Sequence, residues 1–119
     1  MTTPIYHVDA FTDKLFSGNP AAVIFSQIKD DDLMQKIAAE NNLSETAFIR
    51  EENGIFHIRW FAPLCEIDLC GHATLASAYI FFKYIKPESS TFEVQSLKNG
   101  TLKVTKKNNL LVLDFPKDS

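Results

Sequence analysis

Two cysteines, Cys65 and Cys70, are too few to staple a disulfide framework, and no second Cys or His pair follows at the spacing of a structural zinc site. Both read as free thiols, and no metal is assigned. A surplus of one charge is also missing. Twelve Lys and Arg against fifteen Asp and Glu leave a net charge of −3, with the lysines scattered. That pattern lacks the basic footprint of a nucleic-acid binder and the polybasic cluster of a membrane anchor. The N-terminal MTTPIYHVDAF has no basic region leading into an apolar block and cleavage site, so it does not read as a secretory signal. The cytoplasm is the expected compartment. Repeats, low-complexity tracts and linkers are absent as well, so residues 1–119 are expected to form one domain.

What the chain does have is a core: 45% of its residues are hydrophobic. Ile5 to Phe11 and Ala21 to Phe25 are expected as strands around the turn-rich Phe16-Ser17-Gly18-Asn19-Pro20. Asp30, Asp31 and Asp32 supply an N-cap and first-turn negative charge for a helix to about Asn41. Leu33, Met34, Ile37 and Ala38 share its apolar face. Thr46 to Arg50 and Gly54 to Phe61 form the next strand pair, turning at Glu52-Asn53-Gly54. In the second strand Phe56, Ile58 and Trp60 fall on one face, and His57 and Arg59 on the other. His57 therefore reads as a surface strand residue. His7 reads similarly, although Asp9 lies on its face and the pair could line a cavity. The last third is a meander of Thr91 to Ser96, Thr101 to Lys106 and Leu110 to Phe115, with turns at Asn99-Gly100 and Asn108-Asn109. Asn-Gly is a strong signal for a type I′ turn.

From Ala73 to Ile85 the sequence ATLASAYIFFKYI is apolar around nearly its whole helical circumference. Such a helix needs protein on all sides. At about 20 Å it is too short to span a bilayer, and Pro87 limits its end. A curved mixed sheet wrapped around this central helix, an α+β fold, is the economical solution. Immediately before it stand Asp68, Cys70, Gly71 and His72. The unpaired N–H groups of a helix head attract a carboxylate or phosphate, and Gly71 would permit close approach. The plainer alternative is an N-terminus capped by Asp68 or Thr74.

The segments VDAFTDKLFSGNPAAVIF, NNLSETAF, RWFAPLCEIDLCGHATLASA and LDFPKDS, in this order and spacing, resemble the phenazine-biosynthesis PhzF-like isomerases, relatives of diaminopimelate epimerase. The resemblance implies two similar domains, each a mixed sheet curled around a helix, with the active site between them. It also implies cofactor-independent proton transfer on a small carboxylate-bearing metabolite. Glu45 matches the acid/base glutamate of the NLSE motif; partial burial that raised its pKa would suit such a shuttle. Gly71 and His72 match the Gly-His whose donors and imidazole face the substrate. Asn19 matches a motif bordering the cleft, although it suits a turn equally well. Cys70 stands where related epimerases carry a thiolate base, and a helix N-terminus favours that role; a buried packing cysteine is the alternative. Cys65 reads as structural.

Full-length members of the family are more than twice this long, so the chain corresponds to the N-terminal half. A second domain, a complementing chain or a second copy would then close the pocket, a symmetric dimer being the expected state. Three functions follow: a PhzF-like isomerase, a cysteine-based amino-acid racemase or epimerase, and a non-catalytic small-molecule binding or interaction domain.

Overall fold

The computed structural model describes residues 5–8, 21–107 and 110–114. Strands β1 (Ile5–Val8) and β2 (Ala21–Phe25) lead into α1 (Asp31–Asn41), then β3 (Glu45–Glu52), β4 (Ile55–Phe61) and the short β5 (Glu66–Ile67). Helix α2 (Gly71–Ile80) follows and runs into a π-helical turn, Phe81–Ile85, before β6 (Thr91–Gln95), β7 (Thr101–Lys107) and β8 (Leu110–Asp114). The strands form one mixed sheet in the order β1-β2-β3-β4-β6-β7-β8, with β5 also pairing with β4. Because β3 occupies one edge of β4, β5 and β6 share the other, beside Trp60–Phe61 and Phe56–His57 respectively.

Two neighbouring pairs, β2/β3 and β4/β6, are parallel, and each therefore needs a crossover. The sheet advances in the same direction at both crossings while the strands point opposite ways, β3 and β4 being antiparallel. Two right-handed crossovers then place their helices on opposite faces. The packing follows that rule. Val23, Ala47, Ile49, Ile58 and Trp60 pack with α2, while Ile24, Phe48 and Phe61 pack with Met34 and Ala38 of α1. The expected division of β4, with Phe56, Ile58 and Trp60 together, is the inner face of this arrangement. Helix α2 touches β2 and β3 and also β8, far along the sheet, so the sheet must curl around it. The fold is the expected α+β one.

At the start of α1, Asp30 Oδ1 accepts from the N–H groups of Asp32 and Leu33 at 2.9 and 3.1 Å. Asn42, at φ 52°, ends the helix. Leu33, expected on the buried face, is 43% exposed; Met34 and Ala38 form the contact. Arg59 clamps α1 to the sheet, donating to Glu66 at 2.8 Å through Nε and Nη2 and to Asp31 at 2.6 Å through Nη1.

The hairpin turns differ from their sequence signals. Asn53 and Gly54 both have positive φ, 54° and 79°, which makes the β3–β4 link the type I′ turn. At Asn99-Gly100 only Gly100 does, at 69°. There the Ser96 hydroxyl donates to the Gly100 carbonyl and accepts from the Asn99 N–H, both at 2.9 Å, while the Asn99 side chain donates to the Asp68 carbonyl at 2.7 Å. Side-chain partners widen the loop. Residues 9–11, Asn19 with its turn, the Asn108-Asn109 turn and the LDFPKDS tail past Asp114 lie outside the described residues.

The central helix is enclosed on most of its circumference rather than all of it. Ala73, Thr74, Ala76, Ser77, Ala78 and Ile80 are buried, whereas a stripe of His72, Leu75, Tyr79 and Lys83 is partly or fully exposed. Its α-helical part stops at Ile80, and the Lys86 N–H donates to the Phe81 carbonyl at 2.8 Å in a π turn. That turn sets the Phe81 ring 4.6 Å from Phe92 and 5.4 Å from Phe56, centroid to centroid. No helix of the described residues is long and apolar enough to cross a membrane.

A buried polar chain fixes where α2 begins. The Trp60 Nε1–H donates to Thr74 Oγ1 at 3.0 Å, and the Thr74 hydroxyl donates to the Cys70 carbonyl at 2.8 Å. Thr74→Val keeps the shape but strands the indole N–H, at a cost of about 1–3 kcal/mol. Thr74→Ser keeps the hydroxyl and should lose less. Urea unfolding of the two variants checks this; equal losses would show that the hydroxyl contributes nothing.

Candidate functional site

Glu45 is the first residue of β3, opposite Ala21 of β2. The two-residue period of a strand puts it on the face of Ala47 and Ile49, the face turned toward α2. His72 lies in the first turn of α2. Curling the sheet around the helix brings these residues together: His72 Nε2 stands 2.5 Å from Glu45 Oε1, with the side chains 24% and 17% exposed. Two lone pairs would repel at that distance. A proton on either group relieves that repulsion, and the two facing atoms are themselves buried although each side chain is partly exposed.

Cys70 occupies the N-cap of α2 with extended backbone, φ −140°, but its side chain makes no capping bond. Its Sγ is buried 3.6 Å from His72 Nδ1. Burial pushes the Cys70 thiol up to about 11, and the charge and hydrogen bonding of Glu45 push the same way. The N–H groups of Ala73 and His72 pull the other way and do not prevail. The lowering expected from a helix N-terminus is thus outweighed by desolvation. A thiol that stays neutral near pH 7 is a poor resting base, which disfavours the thiolate role for Cys70. Cys65 is exposed, ahead of β5.

Neither proposed cap is used. Asp68 points into solvent, where its carboxylate pairs with Lys98 at 3.1 Å, and with Arg59, Glu66 and Lys98 it lines a depression of about 120 Å³. Thr74 reaches back to the Cys70 carbonyl instead of covering an N–H. The helix starts at Gly71, two residues ahead of the expected Ala73, so that Gly71 and His72 form its first turn. The structure thus joins Glu45, Cys70, Gly71 and His72 and sets Asp68 apart; Asn19 lies outside the described residues. His57 lines a separate depression with Arg50 and Gln95, in keeping with a surface strand position. Sequence reading missed Trp60 and Thr74 as the residues that orient the helix head. Their signal was slight: one tryptophan, and a threonine interrupting an apolar helix.

A mixed sheet curled around a helix, with a carboxylate–imidazole pair at the helix head, defines a half-barrel unit whose site is open on one side. Residues 8–117 match the family model described as phenazine biosynthesis-like protein, PhzC-PhzF. The chain belongs to this family. It is 49% identical to an uncharacterized isomerase of Halalkalibacterium halodurans, over 99% of this chain and 45% of that protein. A phenazine biosynthesis-like domain-containing protein of Bos taurus is 50% identical, over 98% of this chain and 43% of its own length. The crystal structure of a PhzF-family phenazine biosynthesis protein from Enterococcus faecalis superposes with a TM-score of 0.83 at 48% identity, covering 93% of this chain and 43% of that one. The chain spans less than half the length of these relatives.

The raised Cys70 pKa has a thermodynamic consequence. Below about pH 9 the thiol is protonated in folded and unfolded chains alike, and its burial contributes fully. Between about 9 and 11 the unfolded thiol ionises first, so this contribution falls as pH rises. Two pKa units correspond to roughly 2–3 kcal/mol. In Cys65→Ser, ultraviolet thiolate absorbance should therefore emerge near pH 11 in the folded chain and near 9 in denaturant. Coincident titrations would refute the buried assignment.

Proposed function

We propose that this chain supplies one half of the active site of an isomerase that moves a proton on a small carboxylate-bearing metabolite without a cofactor. The close Glu45–His72 contact at the head of α2 carries the reading. The isomerase name of the Halalkalibacterium halodurans relative supports it. In this proposal Glu45, as carboxylate, takes a proton from a carbon beside an activating group and returns it at another position of the same substrate. His72 accepts or donates the hydrogen bond that holds Glu45 in the state each step requires. The substrate carboxylate rests at the helix head, where Gly71 lets it come close. Asn19 keeps the substrate-binding role that the family resemblance implies.

The missing wall comes from a second domain, a complementing chain or a second copy. Tyr79, Tyr84 and Ile85 expose apolar surface along the stripe of α2 and its π-helical turn, which such a partner would cover. A symmetric dimer is expected for the chain by itself. Sedimentation equilibrium at about tens of micromolar, the range of a weak association, should give twice the chain mass. A stable monomer would leave completion of the site to another domain or chain.

Turnover in D2O should place solvent deuterium in the product. Glu45→Gln, which keeps the shape and removes the base, should lower that incorporation by about 10²–10⁴-fold. Unchanged incorporation would remove Glu45 from the role. Thermal stabilisation by a small carboxylate with no exchange at all would favour a binding domain instead.

A further inference from the structure

We propose that Glu45, Cys70 and His72 also form a binding site for a soft divalent cation, with Zn2+ as the cation that fits. One ligand atom from each of the three lies within 4.8 Å of the others. Thiolate, imidazole and carboxylate are the donors zinc takes, and three protein ligands with one open position describe a zinc site that is accessible rather than structural. The sulfur-to-nitrogen distance already suits the metal. Bonds of about 2.3 Å to sulfur and 2.0 Å to nitrogen at a tetrahedral angle separate those atoms by about 3.5 Å. Cys70 Sγ and His72 Nδ1 are 3.6 Å apart. Glu45 Oε1 stands against His72 Nε2, on the other side of the ring, so its carboxylate has to turn to complete the third position.

A water can supply the fourth ligand. Mg2+ and Ca2+ fit poorly, because they require oxygen ligands and this set offers one carboxylate. The sulfur and imidazole select zinc or cobalt. Coordination through His72 Nδ1 leaves the proton on Nε2 in place, so binding replaces one proton, that of the Cys70 thiol, which passes to solvent. The sequence hides this site because Glu45 comes from a distant strand, whereas sequence reading looked for two local Cys or His pairs.

Metal binding stands on its own geometry. Its consequence for catalysis rests on the isomerase reading: a Glu45 carboxylate bound to zinc cannot shuttle a proton, so Zn2+ should inhibit reversibly and a chelator should restore turnover.

The test is a titration of the reduced, metal-free chain with Co2+, followed by displacement with Zn2+. One equivalent of Co2+ should produce a thiolate-to-cobalt charge-transfer band and the intense visible bands of a tetrahedral complex, both abolished by Zn2+. Cys65→Ser should keep the charge-transfer band, and Cys70→Ser should lose it. His72→Ala, which leaves the buried thiol in place, should weaken zinc affinity by at least about tenfold, as loss of a ligand must exceed the 10–100-fold range of outer-shell losses at its lower end. No charge-transfer band, a band that disappears with Cys65, or unchanged zinc affinity in folded His72→Ala would overturn the site. If cobalt fails to bind while Glu45→Gln still loses deuterium incorporation, the isomerase reading survives alone. If cobalt binds and Glu45→Gln exchanges normally, the metal site survives alone.

Discussion

The indole N–H of Trp60, the hydroxyl of Thr74 and the carbonyl of Cys70 form a buried chain on which the geometry of this molecule turns. A helix lined with small apolar residues can slide or rotate inside a greasy sheet at little cost, because the hydrophobic effect has no direction. A buried hydrogen bond does have direction, and leaving its donor unmet is expensive. This one links the inner face of β4 to the first turn of α2. It therefore sets how far along the barrel the helix begins and which way His72 faces.

Once that start is fixed, the site follows from two simple features. Strand β3 presents Glu45 on the inner face because Ala47 and Ile49, two and four residues on, are needed in the core. Helix α2 presents His72 on its one uncovered stripe because the neighbouring Ala73 and Thr74 are fully buried. The carboxylate and imidazole meet where both side chains keep partial exposure. Cys70 lies behind them in the interior, where burial outweighs the pull of the helix N–H groups and keeps its sulfur protonated. Burial thus divides the cluster between a partly exposed carboxylate–imidazole pair and a thiol that stays protonated.

Much of this was legible in the chain. Period-two patterning in Phe56, Ile58 and Trp60 identified the inner face of β4, and the Asp30–Asp32 cluster located the start of α1 to the residue. The all-round apolar character of Ala73 to Ile85 implied a wrapped helix, and family motifs singled out Glu45 and His72. Patterning overreached where one pattern serves two structures. Hydropathy cannot show that a stripe through Tyr79 is left uncovered. Asn-Gly favours a type I′ turn at both of its occurrences, but only Asn53-Gly54 holds both residues at positive φ. At Asn99-Gly100 the Ser96 hydroxyl and the Asp68 carbonyl reshape it.

The amino-acid sequence by itself determined the elements, the two faces of the sheet and the family, because periodicity, capping and motif spacing are local properties of the chain. Only the tertiary structure decided that Glu45 touches His72, that Asp68 turns away to Lys98, and that Cys70 keeps its proton. Those outcomes depend on distance and desolvation between segments remote in sequence, and both exist only after the sheet has closed around the helix.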